Sequence, residues 1–183
     1  MQVIRRKKTS CMKFLRYAFL MENPSEPRWL SSDERQAWLT VVGLMMRLPA
    51  ALDAQLRRDA GLSHFEYMVL AGLSEAPDRT RRMSDLAAFT ESGLPRLSQV
   101  VGRLEKRGWV HRSPDPSDGR ITLATLTQEG WEKVVHTAPG HVEAVRALVF
   151  DPLTKTQSRH LGDISQRIMH AIDPGDRRLR KTE

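Results

Sequence analysis

Between residues 84 and 127 the spacing of apolar and polar positions changes period along the chain. Ser84 caps a short helical stretch that runs through Phe89. Leu94, Leu97, Val101 and Leu104 then recur at steps of three and four. At about 100° per residue they fall on one side of a second helix. Ser92, Arg96, Gln99 and Arg103 fall on the opposite side. Lys106-Arg107-Gly108 ends this helix, with cations at its negative end and glycine free to close it. Trp109 to Arg112 reads as a strand, Pro114 to Gly119 as a polar turn, and Ile121 to Leu126 as a returning strand. The order helix, turn, helix, strand, loop, strand is that of a winged helix-turn-helix. A hairpin here projects Arg120, just past the turn.

The chain on either side reads as helix. Ser31 and Glu34 form a capping box, and Trp38, Val41, Met45, Leu48 and Leu52 make a heptad-like seam after it. Pro49 is expected to kink that helix or start a second segment. Gly61-Leu62 closes it, and Ser63 with Glu66 caps the next, His64 to Leu73, whose Leu70, Leu73 and Phe65 or Val69 back the core. Residues 76–82 read as a loop with three arginines, Arg79, Arg81 and Arg82, suited to phosphates. Thr127 caps a helix through Val135, Pro139-Gly140 interrupts, and helix resumes from His141 to Phe150. Asp151-Pro152 is expected to start a last helix, with Leu161, Ile164, Ile168 and Ile172 along one stripe. The fold class is thus mainly α with a small β wing: a winged helix-turn-helix over about 62–127, flanked by helices at 31–58 and 128–172. Two surplus seams are more easily buried between two chains than by one small central domain.

An Arg/Gln stripe by itself is the ordinary mark of a solvated face. Here it is followed at once by a basic-tipped hairpin. The pattern SDLA…LPRLSQVVGRLEKRGWVHRSPDPSDGR…LTQEG resembles the MarR family of bacterial transcriptional regulators over roughly residues 31–172. Its most specific parts are Asp118-Gly119-Arg120 and Leu126 to Gly130. The resemblance implies a homodimer, interlocked by the outer helices, on a palindromic site in double-stranded DNA. It places Arg120 in the minor groove with Asp118 holding it. Arg96, Gln99 and Arg103 are expected to read bases, since Arg suits guanine edges and Gln adenine edges. Ser92, Ser98 and Arg112 are assigned to phosphates. Pro95 departs from the family, standing where a small polar residue is common. Family members commonly answer small phenolic or anionic molecules in a cleft beside the DNA-binding lobe. By resemblance that cleft draws on Trp38, Met45, His64, Tyr67 and Met68.

Composition refines this picture. The formal charge is +7, but residues 1–20 hold six of the 29 basic residues and no acid, leaving 23 basic against 22 acidic elsewhere. DNA affinity of the folded part must therefore come from local clustering. Residues 1–30 are read as a basic, poorly ordered extension rather than a secretory signal or a membrane-surface helix. Met21 opens a segment that reads like a natural start, and residues 173–183 are a charged tail. The one cysteine, Cys11, excludes an internal disulfide and fits a reducing cytoplasm. It precedes the first family-like helix, so no peroxide-sensing role is assigned to it. No apolar run is read as spanning a membrane. No phosphate-cradling glycine loop, nucleophile elbow or histidine pair at helical spacing occurs. Neither catalytic nor metal residues are assigned, and no cofactor. Two readings compete with an operator-binding regulator: a winged helix serving as a protein-interaction module, and a non-specific nucleic-acid binder driven by the basic tail.

Overall fold

The computed structural model describes residues 27–175. The expectations for Cys11, Met21, the basic extension before residue 27 and the tail beyond Gly175 lie outside the described residues. Among the described residues, those up to Gly43 and those from Leu44 onward fall into two compact units. In chain order the elements are α1 (Ser32–Ala60), α2 (His64–Ser74), β1 (Thr80–Arg82), α3 (Met83–Phe89), α4 (Leu94–Lys106), β2 (Val110–Pro114), β3 (Thr122–Leu126), α5 (Gln128–Val145) and α6 (Lys155–Ile172). A 3-10 turn, Pro77–Arg79, precedes β1, and a π-helical turn, Arg146–Phe150, follows α5.

The caps explain most boundaries. Ser31 accepts from the Glu34 N–H and Glu34 from the Ser31 N–H, the reciprocal box that starts α1. Ser63 and Glu66 repeat it at α2. Gly61 ends α1 at φ +64°, a conformation open to glycine at little cost. The core gathers α2, α3, α4 and the sheet: Leu56, Leu62, Leu70, Leu73, Leu86, Leu97 and Leu104 are fully buried. Val69 joins them, whereas Phe65 is only half-buried.

Several boundaries differ from the sequence reading, each for an identifiable reason. The segment read as an arginine loop contains β1, which pairs antiparallel with β3 (Thr80 opposite Thr125, Arg82 opposite Leu123) and makes a three-stranded sheet in the order β1-β3-β2. A three-residue strand carries too little alternation to be seen. Met83, not Ser84, begins α3; its cap is Arg82 with no side-chain bond, and the Ser84 hydroxyl turns to Asp85 instead. Helix α1 passes unbroken through Pro49, and α5 through Pro139. Met45 and Val135, whose carbonyls lose a partner to these prolines, are exposed residues, and packing of Leu52, Leu56 and Val134 holds the flanking turns. Helix α6 starts at Lys155 under a Thr154–Gln157 capping box, while Asp151 closes the π turn 3.4 Å from Arg146. Leu94 is half exposed, and Val100 takes its place on the buried side of α4.

Helix α1 also contains an 18-residue stretch apolar and long enough to cross a membrane, which the sequence reading did not register. Its apolar residues are divided between two uses. Leu52 and Leu56 are buried, whereas Trp38, Val41, Leu44 and Met45 are exposed. The stripe on α6 is left open in the same way at Ile164, Ile168 and Ile172.

Candidate nucleic-acid interface

Helix α4 is held from behind by Leu97, Val100, Val101 and Leu104, so the opposite face cannot turn inward. That face presents Pro95, Arg96, Ser98, Gln99 and Arg103 to solvent. Pro95 sits in the first turn, where its fixed φ is tolerated and no intrahelical donor is lost. Ser92 precedes the helix, contrary to its expected place on the helical face. Its hydroxyl is paired with Thr90 Oγ1 at 3.0 Å.

The far end of α4 sets the wing. Gly108 at φ +74° lets the Trp109 N–H donate to the Leu104 carbonyl at 3.0 Å and its own N–H to Glu105 at 2.9 Å. The chain turns directly into β2. Glu105 then clamps helix to strand: its carboxylate accepts from Arg112 Nε at 2.9 Å, Nη2 at 2.6 Å and the Arg112 N–H at 3.0 Å. The Arg112 side-chain bond is the main reason the Glu105 carboxyl lies below the ordinary carboxylate range. Against the expected phosphate contact, the Nε and Nη2 of Arg112 are spent on Glu105 inside the fold.

At the wing tip Asp115 accepts from the Ser117 N–H and hydroxyl at 2.8 and 2.6 Å, and Ile121 N–H donates to the Asp118 carbonyl at 2.9 Å. Asp118 takes Arg120 with both oxygens, from Nε and Nη2 at 3.0 Å each, and takes the Arg120 N–H as well. The Arg120 side chain is nonetheless 91% exposed. Asp118 thus holds one edge of the guanidinium, while the side chain as a whole stands in solvent.

The motif that follows the wing has a physical reason too. Thr127 caps α5 by accepting from the Gly130 N–H at 3.0 Å, while its hydroxyl donates to the Gly108 carbonyl at 2.7 Å. A Cβ at position 130 would collide with the Trp109 carbonyl oxygen. The glycine is there to let α5 approach the start of β2.

Neighbouring arginines make contacts of their own. Arg103 lies 3.5 Å from Glu66, a carboxyl that burial pushes up but that Ser63 and Arg103 together hold below its ordinary value. Arg96 stacks over the Phe65 ring, 4.4 Å from its centroid. In the 3-10 turn before β1, Arg79 covers Trp131 and donates to Gln128, and in β1 itself Arg81 donates to the Gly72 carbonyl at 2.7 Å. Arg82 is exposed, 3.8 Å from Asp115. Sequence reading missed Glu105, Glu66, Phe65 and Asp115 as partners; only the seven-residue step from Glu105 to Arg112, helix to strand, was there to find.

Two clefts meet at Arg96. One, about 410 Å³, is walled by Pro49, Phe65, Met68 and Phe89 and also lined by His64, Thr90 and Glu91; the other, about 320 Å³, holds Gln99, Arg103 and Arg57. Asp53 lines both and is occupied by Arg57 at 2.6 Å and the His64 N–H at 2.8 Å. Of the effector residues the resemblance names, His64 and Met68 line the larger cleft. Tyr67 is buried against the His141 ring at 4.6 Å, and Trp38 and Met45 are exposed on α1. His64 and His141, far apart in sequence, bring their rings to 5.9 Å, and burial lowers the pKa of both.

Residues 60–121 match a family model described as MarR family. Among solved structures, the chain is similar to Sco3205, a MarR family transcriptional regulator from Streptomyces coelicolor crystallised in complex with DNA. The two share 45% identity over 82% of this chain and 94% of that one, with a TM-score of 0.79. CouR from Rhodococcus jostii, bound to p-coumaroyl-CoA, shares 28% identity over 75% of this chain and 92% of that one, with a TM-score of 0.61. Among curated proteins, the HTH-type regulator YdcH of Bacillus subtilis is 31% identical over 63% of this chain and 72% of its own length. With a winged helix-turn-helix, a solvent-facing arginine and glutamine row and this degree of similarity to Sco3205, the chain belongs to the MarR family of transcriptional regulators.

Proposed function

We propose that the protein is a cytoplasmic, homodimeric repressor that binds a palindromic operator. Each subunit lays α4 in a major groove, where Arg96, Gln99 and Arg103 meet base edges and Ser98 a phosphate. Arg120 enters the flanking minor groove, drawn by its negative potential, so A·T-rich flanks are preferred. The observation that carries this reading is the pairing of an outward row on a core-backed helix with a wing arginine rooted on Asp118 and 91% exposed. The exposed stripes on α1 and α6 supply apolar surface for the dimer. Sco3205, crystallised with DNA, supports the DNA reading, and CouR, crystallised with an acyl-CoA, supports a small-molecule effector.

The test is a gel shift on DNA upstream of the protein's own gene, with specific and random competitor, for the full chain and for a chain lacking residues 1–20. A specific regulator keeps the same protected site after truncation. A binder driven by the basic tail loses its affinity, and a protein-interaction module retains no fragment in either form.

A further inference from the structure

Glu66 is a buried carboxylate whose two oxygens have different uses. Oε2 accepts from the Ser63 N–H at 2.8 Å and the Ser63 hydroxyl at 2.9 Å, which closes the capping box of α2. Oε1 faces Arg103 Nε at 3.5 Å, across from α2 to α4. The box accounts for the first oxygen alone, because glutamine closes such a box as glutamate does. Burial opposes the charge, and Ser63 with Arg103 outweighs it. Arg57, the other cation close enough to feel Glu66, is taken by Asp53 at 2.6 Å. The second oxygen and the negative charge are therefore left to Arg103.

The effect on Arg103 follows from the shape of a guanidinium. With Nε turned to the carboxylate, Nη1 and Nη2 lie at the far end of the side chain, which is 56% exposed against 12% for Glu66. That terminal edge is a two-donor fork of the kind that pairs with O6 and N7 of guanine. A carboxylate anchored on another helix sets the direction of the fork before DNA arrives, so less side-chain freedom is lost on binding. The same charge offsets that of the arginine and weakens its pull on any phosphate within reach.

We propose that Glu66, on α2 and outside the helix that meets the bases, is the positioning residue that makes Arg103 a guanine reader rather than a phosphate anchor. This rests on the reading that α4 lies in the major groove. Removing the Glu66 charge then acts in opposite directions on two kinds of DNA. Operator binding becomes less selective at one base pair in each half-site, and binding to random DNA becomes tighter.

The experiment uses the full-length dimer, the operator fragment from the gel shift and derivatives with each base pair changed in turn, with Kd read by fluorescence anisotropy. Arg103→Gln identifies the pair that Arg103 reads, as the G·C position where the wild-type preference collapses. Glu66→Gln keeps the capping box and removes the charge. It should cut the preference at that pair roughly fivefold or more and leave the other pairs as they were. On a random-sequence duplex it should bind more tightly than wild type, with a plot of log Kd against log salt steeper by about one per subunit. Glu66→Asp, which keeps the charge but withdraws it by one methylene, should lose the preference at the same pair without the gain on random DNA. In an Arg103→Gln background, Glu66→Gln should change neither quantity. An unchanged preference in both Glu66 variants, a loss spread evenly over all base pairs, or no gain of Glu66→Gln on random DNA would each overturn the inference and leave the α4 reading standing. If Arg103→Gln alters no base preference, the inference falls together with the base-reading role of Arg103.

Discussion

Replacing Glu105 by alanine removes three hydrogen bonds that tie α4 to β2, and it leaves the Arg112 guanidinium without its carboxylate. Buried, such a bidentate charged pair would be worth several kcal/mol, but both side chains here are about one-third exposed, at 34% and 32%. Water replaces part of what is lost, so the cost is about 1–2 kcal/mol. For a chain of this size that lowers Tm by roughly 3–6 °C at fixed protein concentration. The double variant with Arg112→Ala should be less destabilised than the sum of the single ones, by about 1 kcal/mol. Acid removes the difference. Because Arg112 holds the folded carboxyl below its ordinary value of 4.5, the clamp contributes fully above that value and is lost as pH falls through the folded pKa. Thermal unfolding followed by circular dichroism, at about pH 7 and again near pH 3, reads both effects. An unchanged Tm at neutral pH, strict additivity, or a gap between wild type and Glu105→Ala that widens in acid would refute the clamp.

Arg120→Ala should leave Tm unchanged, weaken operator binding roughly tenfold or more, and flatten the preference for A·T-rich flanks, as read by anisotropy on paired operators. Gly130→Ala should destabilise by about 1–3 kcal/mol, because the new methyl meets the Trp109 carbonyl oxygen, a backbone atom that cannot step aside. Gly162→Ala on α6, where nothing lies within 4 Å, should be neutral or stabilising in the same melts. Ile164→Asp with Ile168→Asp should convert the dimer to monomers in sedimentation and abolish operator binding at concentrations where wild type is saturated.

The helix-turn-helix and its hairpin were legible because their signals are local. Leu97, Val101 and Leu104 keep a helical period, Gly108 marks a left-handed turn, and residues 114–119 are all turn formers. Local caps were readable for the same reason: Ser63 and Glu66 close a reciprocal box, and Thr127 accepts from the Gly130 N–H. What sequence did not show depends on contacts between distant residues. Strand β1 exists only because β3 lies beside it, and Arg81 is pinned by the Gly72 carbonyl rather than offered to a phosphate. Charge type alone suggested phosphate roles for Arg112 and Arg79; packing gave the first to Glu105 and the second to Trp131. Pro49 and Pro139 misled in the opposite direction, since local propensity favoured breaks that exposed carbonyls and buried neighbours overrule. On the outward side of α4, residue types and helical phase picked out Arg96, Gln99 and Arg103 as exposed, but not Phe65, over whose ring the Arg96 guanidinium lies.

The central claim is that two subunits present α4 to successive major grooves with Arg120 in the minor grooves outside them. Hydroxyl-radical footprinting of the full-length protein on its operator tests it directly. The account predicts a two-fold symmetric pattern, with half-sites centred about 10 base pairs apart and outer minor-groove protections that vanish for Arg120→Ala while the inner ones remain. A single unsymmetric patch, uniform protection along the fragment, or outer protections that survive Arg120→Ala would contradict it.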